Sequence, residues 1–216
     1  NLLASFNVAD AFTQYSWANE WTPWIIGAIL AILMAGSIFG GTRRLTDVTG
    51  LLVPVMAIIY LGVGLVVVAL NYQNIPAMFS AIFAGAFDFP AIFGGFAGSA
   101  MMYGIKRGLY SNEAGVGSAP NAAASASVSH PAKQGLVQML SVFIDTMIIC
   151  TLTAFVVLSS GVGQDGGVTG APLVKDAMAT VLGQPVAQVF VSIALFLFAF
   201  TTLVGNFYYA EVNFRF

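Results

Sequence analysis

Long apolar runs that carry no charged side chain constrain the fold of this chain most. Residues 51–70 and 186–209 are two such runs, and neither contains Asp, Glu, Lys or Arg. A helix crosses the bilayer core with about 20 consecutive apolar residues. Over the whole chain only 7% of residues are charged and the mean hydropathy is +0.88, whereas about a quarter of the residues of a soluble domain are charged. The sequence therefore predicts an all-α integral membrane protein.

The apolar runs divide the 216 residues into a single transmembrane domain without a separate soluble domain. Approximate membrane spans are predicted at 1–13 (partial), 24–41, 51–70, 91–110 (interrupted), 135–159 and 186–209. Pro54 is predicted in the first turn of its span, where a missing backbone N–H costs least. Residues 71–89 are predicted to be a surface-lying connection, and a short helix is predicted around Lys175. Because the chain lacks an initiator Met and starts within a helical pattern, we expect an internal fragment of a longer protein.

The span at 91–110 is unusual because it carries Gly94, Gly95, Gly98 and Ser99 in its interior. Each Gly lowers helix stability by up to about 1 kcal/mol relative to Ala. Such a composition suits a helix that breaks inside the membrane, where the freed backbone groups line a cavity. It also suits close helix packing at Gly-x-x-x-Gly, a pattern that occurs at 94–98 and again at 36–40. Both interpretations remain open on composition alone.

The positive charges predict the orientation of the spans, since cytoplasmic loops hold most of the Lys and Arg residues. Lys175 lies alone on one side of the predicted topology. The six other residues lie at alternate span boundaries on the opposite side, namely Arg43, Arg44, Lys106, Arg107, Lys133 and Arg215. We therefore expect the boundaries rich in Lys and Arg to be cytoplasmic.

A few polar residues within the spans are candidates for function. Asp145 lies among apolar residues, and it either binds an ion or proton or joins two helices by accepting hydrogen bonds. The hydroxyls of Thr201 and Thr202 with backbone carbonyls would suit a small cation, although a mid-helix Thr commonly bonds back to its own helix. Asn206 needs partners for its amide, of which a ligand is one.

Several classes of function are disfavoured. The net charge of -2 and the absence of a basic run argue against nucleic-acid binding. Cys150 is the single cysteine, so no intramolecular disulfide forms, and its apolar context predicts a small core residue. His130 is the single histidine and is predicted in a loop, while Gly115-x-Gly117 is predicted to shape a turn. We predict neither enzymatic activity nor an organic cofactor.

Four sequence segments are similar to those of one transporter family. The longest is residues 106–120, Lys-Arg-Gly-Leu-Tyr-Ser-Asn-Glu-Ala-Gly-Val-Gly-Ser-Ala-Pro. The others are Phe-Ile-Asp-Thr at 143–146, Phe-Ala-Phe-Thr-Thr at 198–202 and Tyr-Tyr-Ala-Glu at 208–211. In order and spacing these segments resemble the alanine or glycine:cation symporters, also called sodium:alanine symporters.

The resemblance implies a leucine-transporter-type fold with two inverted five-helix repeats. The chain would then run from the end of the third helix through the eighth and lack the first, and such a fragment is expected neither to bind nor to transport. The break in the sixth helix would lie near residues 94–99. Substrate-binding residues implied by the resemblance are Phe96, Gly98, Ser99, Ala100, Gly205, Asn206 and Ala4. Thr201 and Thr202 would bind sodium.

The implied activity is sodium-coupled symport of a small neutral amino acid by alternating access across the cell membrane, in a bacterial or archaeal inner membrane. Alanine or glycine is the expected substrate, with glutamine as a further candidate, and sodium is the coupling ion. A channel-like or structural membrane subunit is the alternative. The full-length protein is expected to be monomeric in the lipid bilayer.

The chain departs from the family pattern at two positions. The family commonly has Gln where this chain has Ala4, and it often has Trp where this chain has Asn206. A smaller, hydrogen-bonding side chain at 206 would enlarge and polarise the pocket. We therefore expect a shift in preference towards a larger polar amino acid such as glutamine.

Overall fold

The computed structural model describes residues 2–39, 41–87, 96–163 and 167–214, and every regular element in these ranges is helical. In chain order the α-helices are α1 (Leu2–Thr13), α2 (Thr22–Ile38), α3 (Gly41–Leu70), α4 (Ile75–Ala86), α5 (Phe96–Ser111), α6 (Ser118–Ala124), α7 (Pro131–Phe143), α8 (Thr151–Ser160), α9 (Ala171–Leu182) and α10 (Gln184–Phe214). A 3₁₀ turn, Tyr72–Asn74, precedes α4. A π-helical segment, Ile144–Cys150, joins α7 to α8. The predicted short helix around Lys175 is confirmed as α9.

Three helices in the described ranges are long and apolar enough to cross a membrane, namely Thr49–Leu70, Pro131–Ser160 and Gln184–Phe214. The helix Thr22–Ile38 is apolar but shorter. At 1.5 Å per residue, a helix of the length of α10 extends about 46 Å, which exceeds the hydrocarbon core of a bilayer. These helices are what a membrane protein requires.

Helix α10 holds the described structure together, because it contributes to both clusters of buried apolar residues. In the first cluster Phe200 and Val204 of α10 pack with residues of α1 and α2, such as Val8 and Leu30. In the second cluster, residues of α10 pack with α3, α8 and α9, as Met178 illustrates. The candidate residues on α10 are therefore carried by the most extensively packed helix.

Much of the remaining apolar surface is exposed. Ile58 on α3 is 70% exposed and Leu136 on α7 is 60% exposed. In water such faces would favour aggregation, whereas lipid tails solvate them without cost. The exposed faces thus agree with a bilayer environment.

Hydrogen bonds between helix ends define one end of the bundle. The Lys175 ammonium on α9 donates to Oε1 of Gln14, just after α1, at 2.7 Å. Nδ2 of Asn74, just after α3, donates to the carbonyl of Ser159 near the end of α8 at 2.7 Å. We call this the Lys175 end.

The opposite end is joined in the same way. Nδ2 of Asn213 on α10 donates to Oδ1 of Asn121 on α6 at 3.1 Å. Nε2 of Gln138 on α7 donates to the carbonyl of Ala119 on α6 at 2.6 Å. This Asn213 end therefore holds α6, the middle of α7 and the last turn of α10.

Three local expectations need correction. Pro54 lies inside α3 rather than in a first turn, because the helix begins at Gly41. A Cβ at Gly36 would meet no atom within 4 Å, so Gly36 is not a close-packing position among the described residues. Cys150 is exposed rather than part of the core, and its Sγ lies 3.7 Å from Oγ of Ser111 on α5.

The predicted break at 94–99 falls partly outside the described residues, because 94 and 95 are not described, whereas 96–99 form the first turn of α5. Residues 88–95 are not described, and from Phe96 the backbone is α-helical through Ser111. The discontinuity at membrane depth therefore stays a prediction for the residues before Phe96.

Candidate functional site

An open cleft of about 680 Å³ lies beside the second half of α10. Its wall is formed by α10, by α3, by α6 and by the loop that follows α5. The lining residues are Thr49, Val53, Glu113, Ala122, Ser125, Ala126, Thr201, Thr202, Val204, Gly205, Asn206, Tyr208 and Tyr209. The volume is within the range of pockets that hold small molecules.

Four predicted site residues of α10 line this cleft together: Thr201, Thr202, Gly205 and Asn206. Residues four apart lie on the same face of an α-helix, so Thr201 lies below Gly205 and Thr202 below Asn206. The absence of a side chain at Gly205 leaves room beside the Thr201 hydroxyl. This part of the helix thus offers two hydroxyls and one amide to the cleft.

The hydroxyls of both threonines donate into their own helix. Oγ1 of Thr201 donates to the carbonyls of Leu197 and Phe198, at 3.1 and 3.0 Å. Oγ1 of Thr202 donates to the Phe198 carbonyl at 2.7 Å. A hydroxyl has one donor and two acceptor lone pairs. Because the proton is directed into the helix, the oxygen lone pairs are the part of each hydroxyl that a cation in the cleft would meet.

Asn206 is oriented by its helix in a similar way. Its Nδ2 donates to the carbonyl of Thr202 at 2.9 Å, and the residue is exposed at the cleft. The side chain thus brings an amide to the cleft. The site is more polar than it would be with Trp.

Glu113 is a cleft residue that sequence reasoning did not single out. It follows α5 in the turn 112–117, and its φ of 52° is in the left-handed region, which costs an L-residue roughly 1–2 kcal/mol. Its carboxylate accepts a hydrogen bond from the hydroxyl of Ser118, at the start of α6. Glu113 is the acidic residue of the family-like segment 106–120, and that was the available signal.

The turn that carries Glu113 is fixed by glycines and by its neighbours. Gly115 and Gly117 have φ of 80° and 91°, which only Gly adopts without strain. The turn predicted at Gly115-x-Gly117 is therefore confirmed. Since α6 is bonded to Asn213 and to Gln138, the turn is held at the Asn213 end of the cleft.

Four further polar residues line the cleft, namely Tyr208, Tyr209, Thr49 and Ser125. The two tyrosines belong to the family-like segment 208–211, whereas the sequence did not indicate Thr49 or Ser125. The four residues come from α10, α3 and the end of α6, elements far apart in sequence. Only the packing of these helices brings them together. They make the Asn213 end of the cleft polar.

Of the remaining predicted site residues, Ala4 is the one whose side chain the structure describes, and it is not among the described residues that line the cleft. Ala4 on α1 packs against the apolar cluster of α1, α2 and α10. Phe96, Gly98, Ser99 and Ala100 lie in the first two turns of α5, and their side chains are outside the described part of the chain. Their roles in substrate binding stay predictions.

Asp145 takes part in a hydrogen-bonded group between α5 and the π-helical segment. Its Oδ2 accepts from Oγ of Ser111 at 2.8 Å, and Oγ of Ser111 also lies 2.9 Å from Oγ1 of Thr146. The Thr146 hydroxyl donates to Oδ1 of Asn112 at 2.6 Å. The helix-joining interpretation of Asp145 is therefore realised, and the group fixes the start of the turn that leads to Glu113.

His130 has a local structural role. It precedes α7, and its Nδ1 accepts a hydrogen bond from the backbone N–H of Ala132 at 3.1 Å. Within the described ranges no three His, Cys, Asp or Glu residues come together as a metal site. Among the described residues that line the cleft, side-chain oxygens come from the hydroxyls of Thr201 and Thr202, the amide of Asn206 and the carboxylate of Glu113, besides other hydroxyls.

Comparison with known proteins agrees with the sequence segments. Residues 1–216 match the family model described as "Sodium:alanine symporter family". The chain is 47% identical over 192 residues to "Amino-acid carrier protein AlsT" of Bacillus subtilis, covering 89% of this chain and 41% of that protein.

Two further relatives carry more specific names. The chain is 40% identical to "Sodium/alanine symporter AgcS" of Methanococcus maripaludis, with 100% of this chain and 47% of that protein covered. It is 40% identical to "Probable sodium/glutamine symporter GlnT" of Bacillus subtilis, with 100% of this chain and 44% of that protein covered. The chain thus spans less than half of the length of each of these relatives.

Proposed function

Because the chain belongs to the sodium:alanine symporter family, we propose that the whole protein couples sodium entry to uptake of a small neutral amino acid across the cell membrane. The observation that supports this function best is the grouping of Thr201, Thr202 and Asn206 with Glu113 at one cleft. Hydroxyl and carboxylate oxygens are hard ligands suited to a small cation. The apolar helices provide the span that such transport needs.

The sodium site is proposed at Thr201 and Thr202. Their donated protons leave two oxygens with lone pairs towards the cleft. The neighbouring carbonyls of α10 are already bonded within the helix, so further ligands must come from other elements. The sodium ligands would then come from α10 and from at least one other element. Sodium binding can therefore favour the arrangement of helices that brings these ligands together.

The mechanism is proposed to be alternating access. Sodium binding stabilises the outward-open state, the amino acid completes the site, and the closed site then opens inward. A ligand shifts such an equilibrium only through its different affinity for the two states. The sodium gradient supplies the free energy, so neither a covalent intermediate nor an organic cofactor takes part.

We propose alanine or glycine as the substrate. Glutamine is a further candidate, which the side chain of Asn206 supports. Relatives named for alanine and for glutamine match this chain equally well, both at 40% identity. Asn206 contributes an amide to the cleft where a bulky indole would exclude a longer side chain. Phe96, Gly98, Ser99, Ala100, Gly205 and Ala4 are proposed as the other substrate contacts.

Uptake by the full-length protein in proteoliposomes tests this function. Labelled alanine, glycine and glutamine are each supplied with an inward sodium gradient, with choline replacing sodium as the control. We expect saturable uptake that requires sodium. Flux without saturation, or equal uptake in sodium and choline, would instead indicate a channel-like or structural membrane subunit.

A further inference from the structure

The loop carboxylate of Glu113 lies at the same cleft as the proposed sodium threonines, at the Asn213 end. Thr201 and Thr202 are near the middle of α10, whereas Glu113 belongs to the turn held against the last turn of α10 through α6. The two threonines and the carboxylate thus line one continuous cleft. Among the described lining residues, Glu113 is the one with a carboxyl group.

Among the basic residues whose side chains the structure describes, namely Lys106, Arg107, Lys133 and Lys175, none forms an ion pair with Glu113 within 4 Å. The ion pair found among the described residues is Lys175 with Asp176, at the other end of the bundle. Glu113 is exposed and accepts from the Ser118 hydroxyl. A hydroxyl partner orients a carboxylate but leaves its charge in place, and further lone pairs stay available to a cation.

The backbone at Glu113 is held in a conformation that a non-glycine residue rarely adopts, with φ of 52°. The two other left-handed residues of this turn are Gly115 and Gly117. Asn112 and Glu113 are anchored from α5 by N–H bonds to the carbonyls of Gly108 and Tyr110, at 3.0 and 3.1 Å. The turn therefore presents a charged side chain to the cleft at a position where Gly would be less strained.

From these observations we propose that Glu113 is a cation-binding residue at the mouth of the cleft, which holds sodium as the ion passes between Thr201 and Thr202 and the water at the Asn213 end. This role rests on the proposed function. The positive charges predict that this end is cytoplasmic. The carboxylate then raises the local concentration of sodium at the inner face and sets the apparent sodium affinity on that side alone.

Three variants of the full-length protein separate charge from structure. Glu113→Gln removes the charge but keeps an oxygen that accepts from Ser118. Glu113→Asp keeps the charge and tolerates the left-handed backbone, but its shorter side chain gives up the Ser118 bond. Glu211→Gln is the control variant. It removes a carboxylate near the Asn213 end of α10, from a residue that does not line the cleft.

The measurement is the sodium concentration for half-maximal transport of alanine, taken in right-side-out and in inverted membrane vesicles. We expect Glu113→Gln to raise this concentration about three- to tenfold in inverted vesicles and to leave it within about twofold in right-side-out vesicles. Glu113→Asp should stay near wild type in both, as should Glu211→Gln. The unchanged value at the outer face also shows that the variant is folded.

The proposal is overturned if Glu113→Gln leaves the inner-face value unchanged, or shifts both faces equally. It is also overturned if Glu113→Asp is impaired as much as Glu113→Gln, because Glu113→Asp keeps the negative charge and the loss of charge then does not account for the result. If wild-type vesicles show no sodium-dependent transport, the proposed function fails and this role with it. That result is distinguishable, since it appears before any variant is tested.

Discussion

The two hydroxyls of Thr201 and Thr202 illustrate how a common helical contact can coexist with ion binding. Each donates its proton to a carbonyl of the preceding turn. The same bond that satisfies the hydroxyl inside an apolar helix also points its lone pairs away from that helix. Removal of the hydroxyl oxygen should therefore weaken sodium binding more than it destabilises the helix.

Replacing either threonine by Val tests this reasoning. Val has nearly the same shape and lacks the hydroxyl, so Thr201→Val and Thr202→Val should each raise the sodium concentration for half-maximal uptake about tenfold, or about 1.4 kcal/mol of binding free energy. Sodium titration of labelled alanine uptake in proteoliposomes measures it. Thr180→Val is the matched control, because Thr180 makes the same kind of back-bond on α9, at 2.7 Å to Ala177. Equal effects of all three variants would contradict a sodium role.

Asn206 determines, on our proposal, which amino acid the cleft accepts. Asn206→Trp should lower glutamine uptake relative to alanine, since the indole fills space and removes an amide. Competition of unlabelled glutamine against labelled alanine gives the ranking. Val189→Trp adds an indole to an exposed position of the same helix outside the cleft and should leave the ranking as in wild type. An unchanged ranking in Asn206→Trp would show that this position does not select the substrate.

At the scale of helices, α3 and α8 approach each other closely at Gly64. A Cβ at Gly64 would come within 2.7 Å of Cδ2 and 3.0 Å of Cγ of Leu152, a side chain that is 7% exposed. One turn away, the hydroxyl of Tyr60 on α3 lies 2.8 Å from Oγ1 of Thr153 on α8. Gly64 thus permits two long apolar helices to approach closely enough for this polar contact.

Gly64→Val should weaken the packing of α3 against α8. Overpacking of a filled interface costs about 1–3 kcal/mol, so the apparent Tm of the full-length protein in detergent should fall. Gly62→Val is the matched control because a Cβ at Gly62 meets no atom within 4 Å. Both variants change helix propensity equally, so the difference between them reports the contact. An equal Tm for the two would show that the helices yield at this position.

The helices that the sequence predicted well are those whose evidence lies in local composition. The apolar run at 186–209 falls within α10, and the charged, amphipathic stretch around Lys175 forms α9. Pro54 was misplaced because the polar residues 41–48 continue the helix, and a missing N–H in a long helix is tolerated when neighbouring groups compensate. The π-helical segment at Ile144–Cys150 carries no composition signal, since it differs from an α-helix by hydrogen-bond register alone.

The site was only partly predictable for a similar reason. Thr201, Thr202, Gly205 and Asn206 lie within two turns of one helix, so their proximity follows from helical spacing. Glu113 and Thr49 reach the cleft from other elements, and only the packing of α3 and α6 against α10 places them there. A single sequence does not show which of these helices pack against one another.

For the whole molecule, different hydrogen bonds mark the two ends of the bundle. Lys175 is bonded to Gln14 at one end, and Asn213 is bonded to Asn121 at the other. If the Asn213 end is cytoplasmic, as the positive charges predict, a cysteine at Ser129 in a cysteine-free full-length protein should react with a membrane-impermeant maleimide only after the membrane is opened. A cysteine at Gly167, in the loop before α9, should react in intact cells. The reverse pattern would invert the orientation, and with it the face at which Glu113 acts.

The π-helical segment has a geometric consequence for the span Pro131–Ser160. One extra residue in a turn shifts the angular phase of everything after it by about 100°. The half before it presents Gln138 to α6, and the half after it presents Leu152 and Val156 to neighbours at the far side. One continuous helical span can in this way pack against two partners in different directions. A one-residue deletion within 144–150 would turn the second half of the span away from α3.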